Sequence, residues 1–153
     1  MSMKKNFLRL MMLCLSMVLL STTSHATSTH DIYGKPYHFS VPPGKWVIIN
    51  YWATWCPYCA REIPELNKLA KALQTMPAIF FGVNYDNASD QEQQAFAASH
   101  AINYVLLHDN PYQELLGDQP VSSLPTTFII SPTGQVQVIR GELRASDIMD
   151  SIR

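Results

Sequence analysis

The strongest constraint on the fold of this chain is an apolar stretch that ends at two closely spaced cysteines. From Trp46 to Trp52 the residues are mostly β-branched or aromatic, which is typical of a strand buried on both faces of a sheet. Cys56 and Cys59 follow, and Pro57 between them is well tolerated in the first turn of a helix. The sequence therefore predicts a buried strand that leads into a helix with both cysteines at its N-terminus.

The predicted elements alternate in the order βαβ, αβ, α, ββ, α. The first helix runs from Pro57 to about Leu73, with a kink at Pro64, which removes one backbone hydrogen bond. The other predicted elements are a flexible lead-in at 27–31, a small hairpin at 32–39, strands at 78–85 and 104–107, a helix at 89–100 capped by Ser89 with Glu92, a helix at 111–116, a hairpin of 126–130 with 135–140, and a final helix capped by Ser146. With right-handed crossovers, this order gives an α/β domain whose central mixed sheet is covered by helices on both faces.

The N-terminus has the pattern of an export signal. Three basic residues flank an apolar run from Phe7 to Leu20, and small residues precede position 27. The run is shorter than the roughly 20 residues of a membrane-spanning helix. We therefore predict a signal peptide at residues 1–26, cleaved after Ala26, with a retained membrane anchor as the alternative. Residues 27–153 then form a single domain.

Charge and cysteine content exclude several classes of function. The chain has 11 basic and 12 acidic residues, and the domain is more acidic once the basic signal is removed, which argues against nucleic acid or an anionic membrane surface as a partner. Cys56 and Cys59 enclose too short a loop to stabilise much, and no His-x-His or second cysteine pair completes a zinc site. No metal or cofactor is predicted, only a redox-active Cys56–Cys59 disulfide.

The predicted position of the two thiols favours disulfide exchange. Residues three apart share a helix face, so Cys56 and Cys59 can form a disulfide across the first turn. Unpaired N–H groups and the positive end of the helix dipole lower a thiol pKa there. We expect Cys56 to be the exposed nucleophile and Cys59 the resolving thiol.

Two segments together resemble a known family. The segment from Val47 to Cys59, followed by Pro64, is similar to a thioredoxin-fold active site, and the segment from Val121 to Val136 resembles the exported TlpA/ResA-like branch. The resemblance covers about residues 30–150. It implies a thioredoxin fold, to which the hairpin predicted at 32–39 adds an N-terminal extension.

The resemblance also assigns roles to individual residues. It implies that Pro125 is a cis-proline facing the cysteines and that Leu124 offers backbone groups to an extended substrate. Asn50 replaces the buried aspartate usual in cytosolic thioredoxins and cannot take up a proton, so either another base is needed or the step is slower. Glu62, three residues after Cys59, is predicted to assist proton transfer, and a solvated helix acid is the alternative.

The residues next to the cysteines are predicted to contact the substrate. Trp55 is expected to present a flat surface to partner proteins, with packing as its alternative. Pro57 and Tyr58, between the cysteines, complete the predicted substrate-binding residues and influence the reduction potential.

The leading hypothesis is a periplasmic or membrane-anchored thiol–disulfide reductase. Its clients would be disulfide-bearing proteins of the cytochrome c maturation or metal-site assembly type, and a membrane thiol donor would reduce it again. The alternatives are a disulfide oxidase or isomerase, a non-catalytic binding module, and peroxiredoxin-like chemistry, which needs a lone reactive cysteine. The sequence fixes neither the direction of exchange nor the oligomeric state.

Overall fold

The structure, a computed structural model, describes residues 26–40 and 44–152 of the 153-residue chain. These residues form seven strands and four helices. The strands are β1 (Ala26–His30), β2 (Pro36–Ser40), β3 (Trp46–Trp52), β4 (Ala78–Asn84), β5 (Val105–Leu107), β6 (Thr126–Ile130) and β7 (Val136–Arg140). The helices are α1 (Pro57–Leu73), α2 (Asp90–Ser99), α3 (Gln113–Leu116) and α4 (Ala145–Ser151).

The predicted mixed sheet is confirmed. Five strands lie in the order β5-β4-β3-β6-β7, with β3 in the centre. The pairs β3–β4 and β4–β5 are parallel, whereas β3–β6 and β6–β7 are antiparallel. The strand that leads to the cysteines is therefore paired on both sides, as its continuous apolar sequence predicts.

Three helices cover one face of the sheet. Ile48 of β3 and Ile129 of β6 pack with the apolar side of α1 and with Ile148 of α4. Trp52, which alternation along β3 places on this same face, packs with Ala97 of α2. This face therefore holds α1, and with it the cysteines, against the sheet.

The opposite face has a thinner cover. Val47 of β3 and Phe128 of β6 pack there with Leu116 of α3, and Phe39 of β2 packs against the same cluster. The four-residue α3 and the N-terminal hairpin thus share this face. Helices lie on both faces, as predicted, but the longer ones lie on one side.

The N-terminal hairpin begins earlier than predicted. The expected flexible lead-in at 27–31 is wrong, because β1 pairs with β2 in an antiparallel ladder. The Asp31 Oδ1 atom accepts hydrogen bonds from the N–H groups of Tyr33 and Lys35 at 2.9 Å each, which shapes the turn. A further bridge joins Asp31 to Leu107 of β5, so tertiary pairing orders a segment that lacks apolar residues.

Two helix predictions need comment. α1 continues through Pro64 to its predicted end. The predicted Ser146 cap of the last helix is wrong, because α4 begins at Ala145 and Ser146 lies inside its first turn. The Arg144 N–H instead donates to Asp147 Oδ2 at 2.8 Å, so an acid in the first turn takes the capping role.

No helix within residues 26–40 and 44–152 is long and apolar enough to cross a bilayer. The predicted signal peptide lies outside the described residues, except for Ala26, the first residue of β1. Its cleavage or retention stays a prediction.

Candidate active site at the cysteine pair

The two cysteines form a disulfide at the N-terminus of α1. Cys56 and Cys59 have Cα atoms 5.3 Å apart and are bonded through sulfur. Cys56 is the N-cap residue, and its Sγ accepts a hydrogen bond from the Cys59 N–H at 3.1 Å. After reduction, the same N–H and the helix dipole are positioned to stabilise a thiolate on Cys56.

Both cysteines are buried, which corrects the prediction of an exposed Cys56. Each residue is only 2% exposed. They belong to an apolar cluster with Trp52 and Ala53 at the end of β3, and Leu124 packs against this cluster. In the disulfide form, access to the sulfur atoms is therefore limited by neighbouring apolar side chains.

The surface beside the disulfide is aromatic. Trp55 is 66% exposed and Tyr58 is 54% exposed, so the packing alternative for Trp55 is wrong. Pro57 is also exposed, as the first residue of α1. The guanidinium carbon of Arg61 lies 4.3 Å from the centroid of the Tyr58 ring. The predicted contact residues thus lie on the surface next to the cysteines.

An acid from the neighbouring strand end fixes the loop before Cys56. Asp86 Oδ2 accepts hydrogen bonds from the Thr54 N–H at 3.3 Å and from its hydroxyl at 2.7 Å. The Cys56 N–H donates to the Ala53 carbonyl oxygen at 3.2 Å. Sequence reasoning missed Asp86, which is 32 residues from Thr54 and has no local motif to mark it.

Glu62 is buried one turn beyond Cys59. The residue is 2% exposed, so the solvated-acid alternative is wrong. Its Oε1 accepts a hydrogen bond from Asn50 Nδ2 at 2.8 Å, and its Oε2 accepts one from the Leu143 N–H at 3.2 Å. Asn50 Nδ2 also donates to Thr127 Oγ1 at 3.0 Å, which its register partner position in β6 makes possible.

Burial dominates the electrostatics of this carboxyl group. It raises the pKa of Glu62 from 4.5 to about 7, although the hydrogen bonds from Asn50 and Leu143 act to lower it and Glu142 raises it slightly further. Glu62 can therefore gain or lose a proton near neutral pH. Thr127 and Leu143 were not found from sequence, since a hydroxyl and a backbone N–H carry no motif.

The segment before β6 has the backbone form that the resemblance implies. The Leu124–Pro125 peptide bond is cis, and the Pro125 carbonyl oxygen accepts a hydrogen bond from the Gly141 N–H at 2.9 Å. Leu124 lies before the β6 ladder. Its N–H and carbonyl have no backbone partner within the described part of the chain. These groups are therefore available to an incoming strand.

Other chemistry-bearing groups do not assemble into a second centre. In the ranges that the structure covers, no three His, Cys, Asp or Glu residues are placed to hold a metal ion. The rings of His30 and His108 have centroids 5.0 Å apart. His30 is the last residue of β1 and His108 follows β5, whereas the disulfide follows β3.

Comparison with known proteins agrees with this geometry. The model of the AhpC/TSA family matches residues 22–139. The chain is 37% identical to thioredoxin-like protein YneN of Bacillus subtilis over 73% of its length and 65% of that protein. It is 33% identical to the thiol-disulfide oxidoreductase ResA of the same organism, over 78% of the chain and 66% of that protein. The chain thus spans just under two thirds of these curated relatives.

A solved structure supports the same fold. The crystal structure of a thiol:disulfide interchange protein of the thioredoxin family from Chlorobium tepidum TLS aligns with a TM-score of 0.68 at 26% identity. The alignment covers 82% of this chain and 89% of that one. The predicted thioredoxin fold is confirmed.

Proposed function

Because the chain belongs to the AhpC/TSA family of thioredoxin-like proteins, we propose that it is a thiol–disulfide oxidoreductase acting on client proteins through Cys56 and Cys59. The observation that carries this proposal is the disulfide at the N-cap of α1, where the Cys59 N–H contacts Cys56 Sγ at 3.1 Å. A thiol at that position has a lowered pKa and a high fraction of thiolate.

The exchange is written for the dithiol form. The Cys56 thiolate attacks one sulfur of a client disulfide, which forms a mixed disulfide and releases the first client thiolate. Cys59 then loses its proton and attacks Cys56 Sγ, so the Cys56–Cys59 bond forms and the second client thiolate leaves. Two electrons pass from the dithiol to the client, and the two released thiolates take up protons.

Glu62 is proposed as the group that accepts the Cys59 proton. It lies three residues along the same helix, is buried, and has a pKa of about 7. A base with a pKa near the working pH transfers protons efficiently. Asn50, which cannot take up a proton, holds the Glu62 carboxylate by a 2.8 Å hydrogen bond.

The client is proposed to bind across the exposed aromatic surface and the cis-proline segment. Trp55, Pro57 and Tyr58 would contact its side chains, while the backbone of Leu124 beside Pro125 would pair with an extended segment around its disulfide. These groups surround the buried sulfur atoms, so an extended segment is better suited to reach them than a folded surface.

The direction proposed is reduction. The resemblance to the TlpA/ResA-like branch favours a reductase of exported clients, of the cytochrome c maturation or metal-site assembly type. The export pattern of residues 1–26 favours the periplasm or its membrane surface. Because such a compartment is oxidising, a membrane thiol donor would have to restore the dithiol.

The test is the equilibrium reduction potential of the Cys56–Cys59 pair, measured in glutathione buffers by alkylation. All variants carry Cys14→Ser, so that every counted thiol belongs to the pair. A reductase should equilibrate nearer to about −270 mV, as thioredoxin does, than to about −120 mV, as DsbA does. It should also reduce insulin with a chemical reductant, and the Cys56→Ser, Cys59→Ser double variant should not.

Client trapping completes the experiment. A Cys59→Ala variant should retain clients as mixed disulfides, and a Cys56→Ala variant should not. A potential near the oxidising end, with rapid oxidation of a reduced unfolded client, would instead support the oxidase alternative. Failure of the parent to exchange with any disulfide would reject the enzymatic proposal.

A further inference from the structure

Two neighbouring residues of α1 contact two neighbouring residues of the segment after β7. Arg61 Nη2 lies 2.6 Å from Glu142 Oε1, and Arg61 Nε lies 3.3 Å from Glu142 Oε2. One residue along in each segment, the Leu143 N–H donates to Glu62 Oε2 at 3.2 Å. The outer ion pair and the inner hydrogen bond therefore hold the same two segments together.

The outer pair is unlike a stabilising core contact. The Arg61 and Glu142 side chains are 55% and 38% exposed, and ion pairs of this kind contribute little to stability. Its two-pronged geometry is nevertheless specific, since a guanidinium and a carboxylate meet through two hydrogen bonds. The Arg61 guanidinium also lies over the ring of Tyr58. The Arg61–Glu142 pair therefore links Tyr58, which lies between the two cysteines in the sequence, to the segment whose Leu143 N–H contacts Glu62.

Both the ion pair and the buried acid border one solvent-accessible depression. Its volume is about 400 Å³. It is lined by Arg61, Glu62, Glu65, Glu142, Leu143 and Arg144. Glu62, which is only 2% exposed, thus borders a space that is open to solvent.

The charged and titratable groups around Glu62 come from three parts of the fold. The charged groups are Arg61 and Glu65 on α1 and Glu142 and Arg144 after β7; the titratable groups that are uncharged here are Tyr104 before β5 and, after reduction, the thiol of Cys59. β3 and β6 contribute only the uncharged Asn50 and Thr127. Glu142 raises the pKa of Glu62, and Arg61 is the cation that directly neutralises Glu142.

We propose that Arg61 and Glu142 are positioning residues that hold the Leu143 N–H on the Glu62 carboxylate and thereby set the pH range in which Glu62 takes the proton of Cys59. This inference rests on the proposed thiol–disulfide exchange. The ion pair acts through Glu62 and touches neither sulfur atom nor client disulfide.

The two partners should have opposite effects. In Arg61→Gln, Glu142 is no longer neutralised and the Leu143 N–H is held less firmly, so the Glu62 titration moves to higher pH. In Glu142→Gln, a negative neighbour is lost while an amide oxygen still accepts from Arg61, so the titration moves to lower pH. In each variant the midpoint of the Glu62 titration should move by about 0.5 pH unit.

The direct measurement is carbon-13 NMR of side-chain carboxyl groups in glutamate-labelled protein, from pH 4 to pH 9. The disulfide form is used, because its cysteines do not titrate. The Glu62 signal is assigned by its loss in Glu62→Gln. Glu114→Gln, an exposed acid on α3 across the sheet, is the matched control and should leave the midpoint unchanged.

The pH profile of insulin disulfide reduction is then recorded for the same proteins. It should move in the same direction as the Glu62 midpoint in both variants. Unchanged Glu62 midpoints, or midpoints that move in the same direction in Arg61→Gln and Glu142→Gln, would overturn the inference. A pH profile of the reduction rate that stays fixed while the Glu62 midpoint moves would overturn it too. Parent protein that fails to reduce insulin would reject the proposed function instead, since the NMR titration does not depend on activity.

Discussion

Replacing Glu62 by glutamine should make protein stability less dependent on pH. Burial raises the pKa of Glu62 from 4.5 to about 7, so between these pH values the folded protein binds more protons than the unfolded chain. Stability must then fall as the pH rises through this range. At about 1.4 kcal/mol per pKa unit, the ionised carboxylate lowers the free energy of unfolding by about 3 kcal/mol at pH 8.

The protonated acid provides an internal reference for this prediction. At pH 4 the Glu62 carboxyl is neutral in the folded state and mostly neutral in the unfolded state, and the glutamine amide resembles it in shape and in having one acceptor oxygen. The stability difference between Glu62→Gln and the parent at pH 4 therefore measures any misfit of the amide. The change in that difference between pH 4 and pH 8 isolates the effect of ionisation.

Urea unfolding of the disulfide form at one-unit pH intervals tests the prediction. The free energy of unfolding of the variant minus that of the parent should rise by about 3 kcal/mol between pH 4 and pH 8. Glu65→Gln, on the same helix, is the matched control of opposite sign, because hydrogen bonds from Lys68 and Ala145 lower the pKa of Glu65. A stability difference that stays constant from pH 4 to pH 8 would refute the assignment of an ionising group to this buried position.

Two further substitutions test the packing and the surface of the site. Gly82→Ala would place a Cβ 2.7 Å from Leu106 Cδ2 and should lower the free energy of unfolding by about 1–2 kcal/mol; a urea midpoint equal to that of the parent would contradict this crowding. Trp55→Ala should raise KM for an unfolded disulfide-bearing client by about three- to tenfold, with kcat and thermal stability little changed; an unaltered KM would remove Trp55 from the client surface.

Much of the fold follows from local sequence. Nearby residues in the chain determine three of its features: the apolar β3 strand, the helix that starts at Pro57 and the Ser89 capping box. β1 is different, since its polar residues gain order only from β2 and from the bridge between Asp31 and Leu107.

The site was predictable in its residue types but not in its burial. Spacing alone places Cys59 and Glu62 on one helix face. Whether Glu62 is exposed or buried depends on residues such as Asn50 and Leu143, which lie 12 and 81 residues from it in the sequence. The burial of Cys56 similarly depends on apolar neighbours contributed by separate elements.

A carboxyl group that destabilises the fold at neutral pH needs an explanation beyond stability. The hydrogen bonds from Asn50 and Leu143 lower the pKa of Glu62, yet burial outweighs them, so a neutral side chain would make the protein more stable. A strongly perturbed group of this kind is more often found where chemistry occurs, and this one lies a single turn from a thiol that must lose a proton. If Glu62→Gln stabilises the protein at pH 8 and also slows disulfide exchange, the buried carboxyl lowers stability but takes part in proton transfer. If the rate is unchanged at every pH, Glu62 takes no part in proton transfer and its proposed role is wrong.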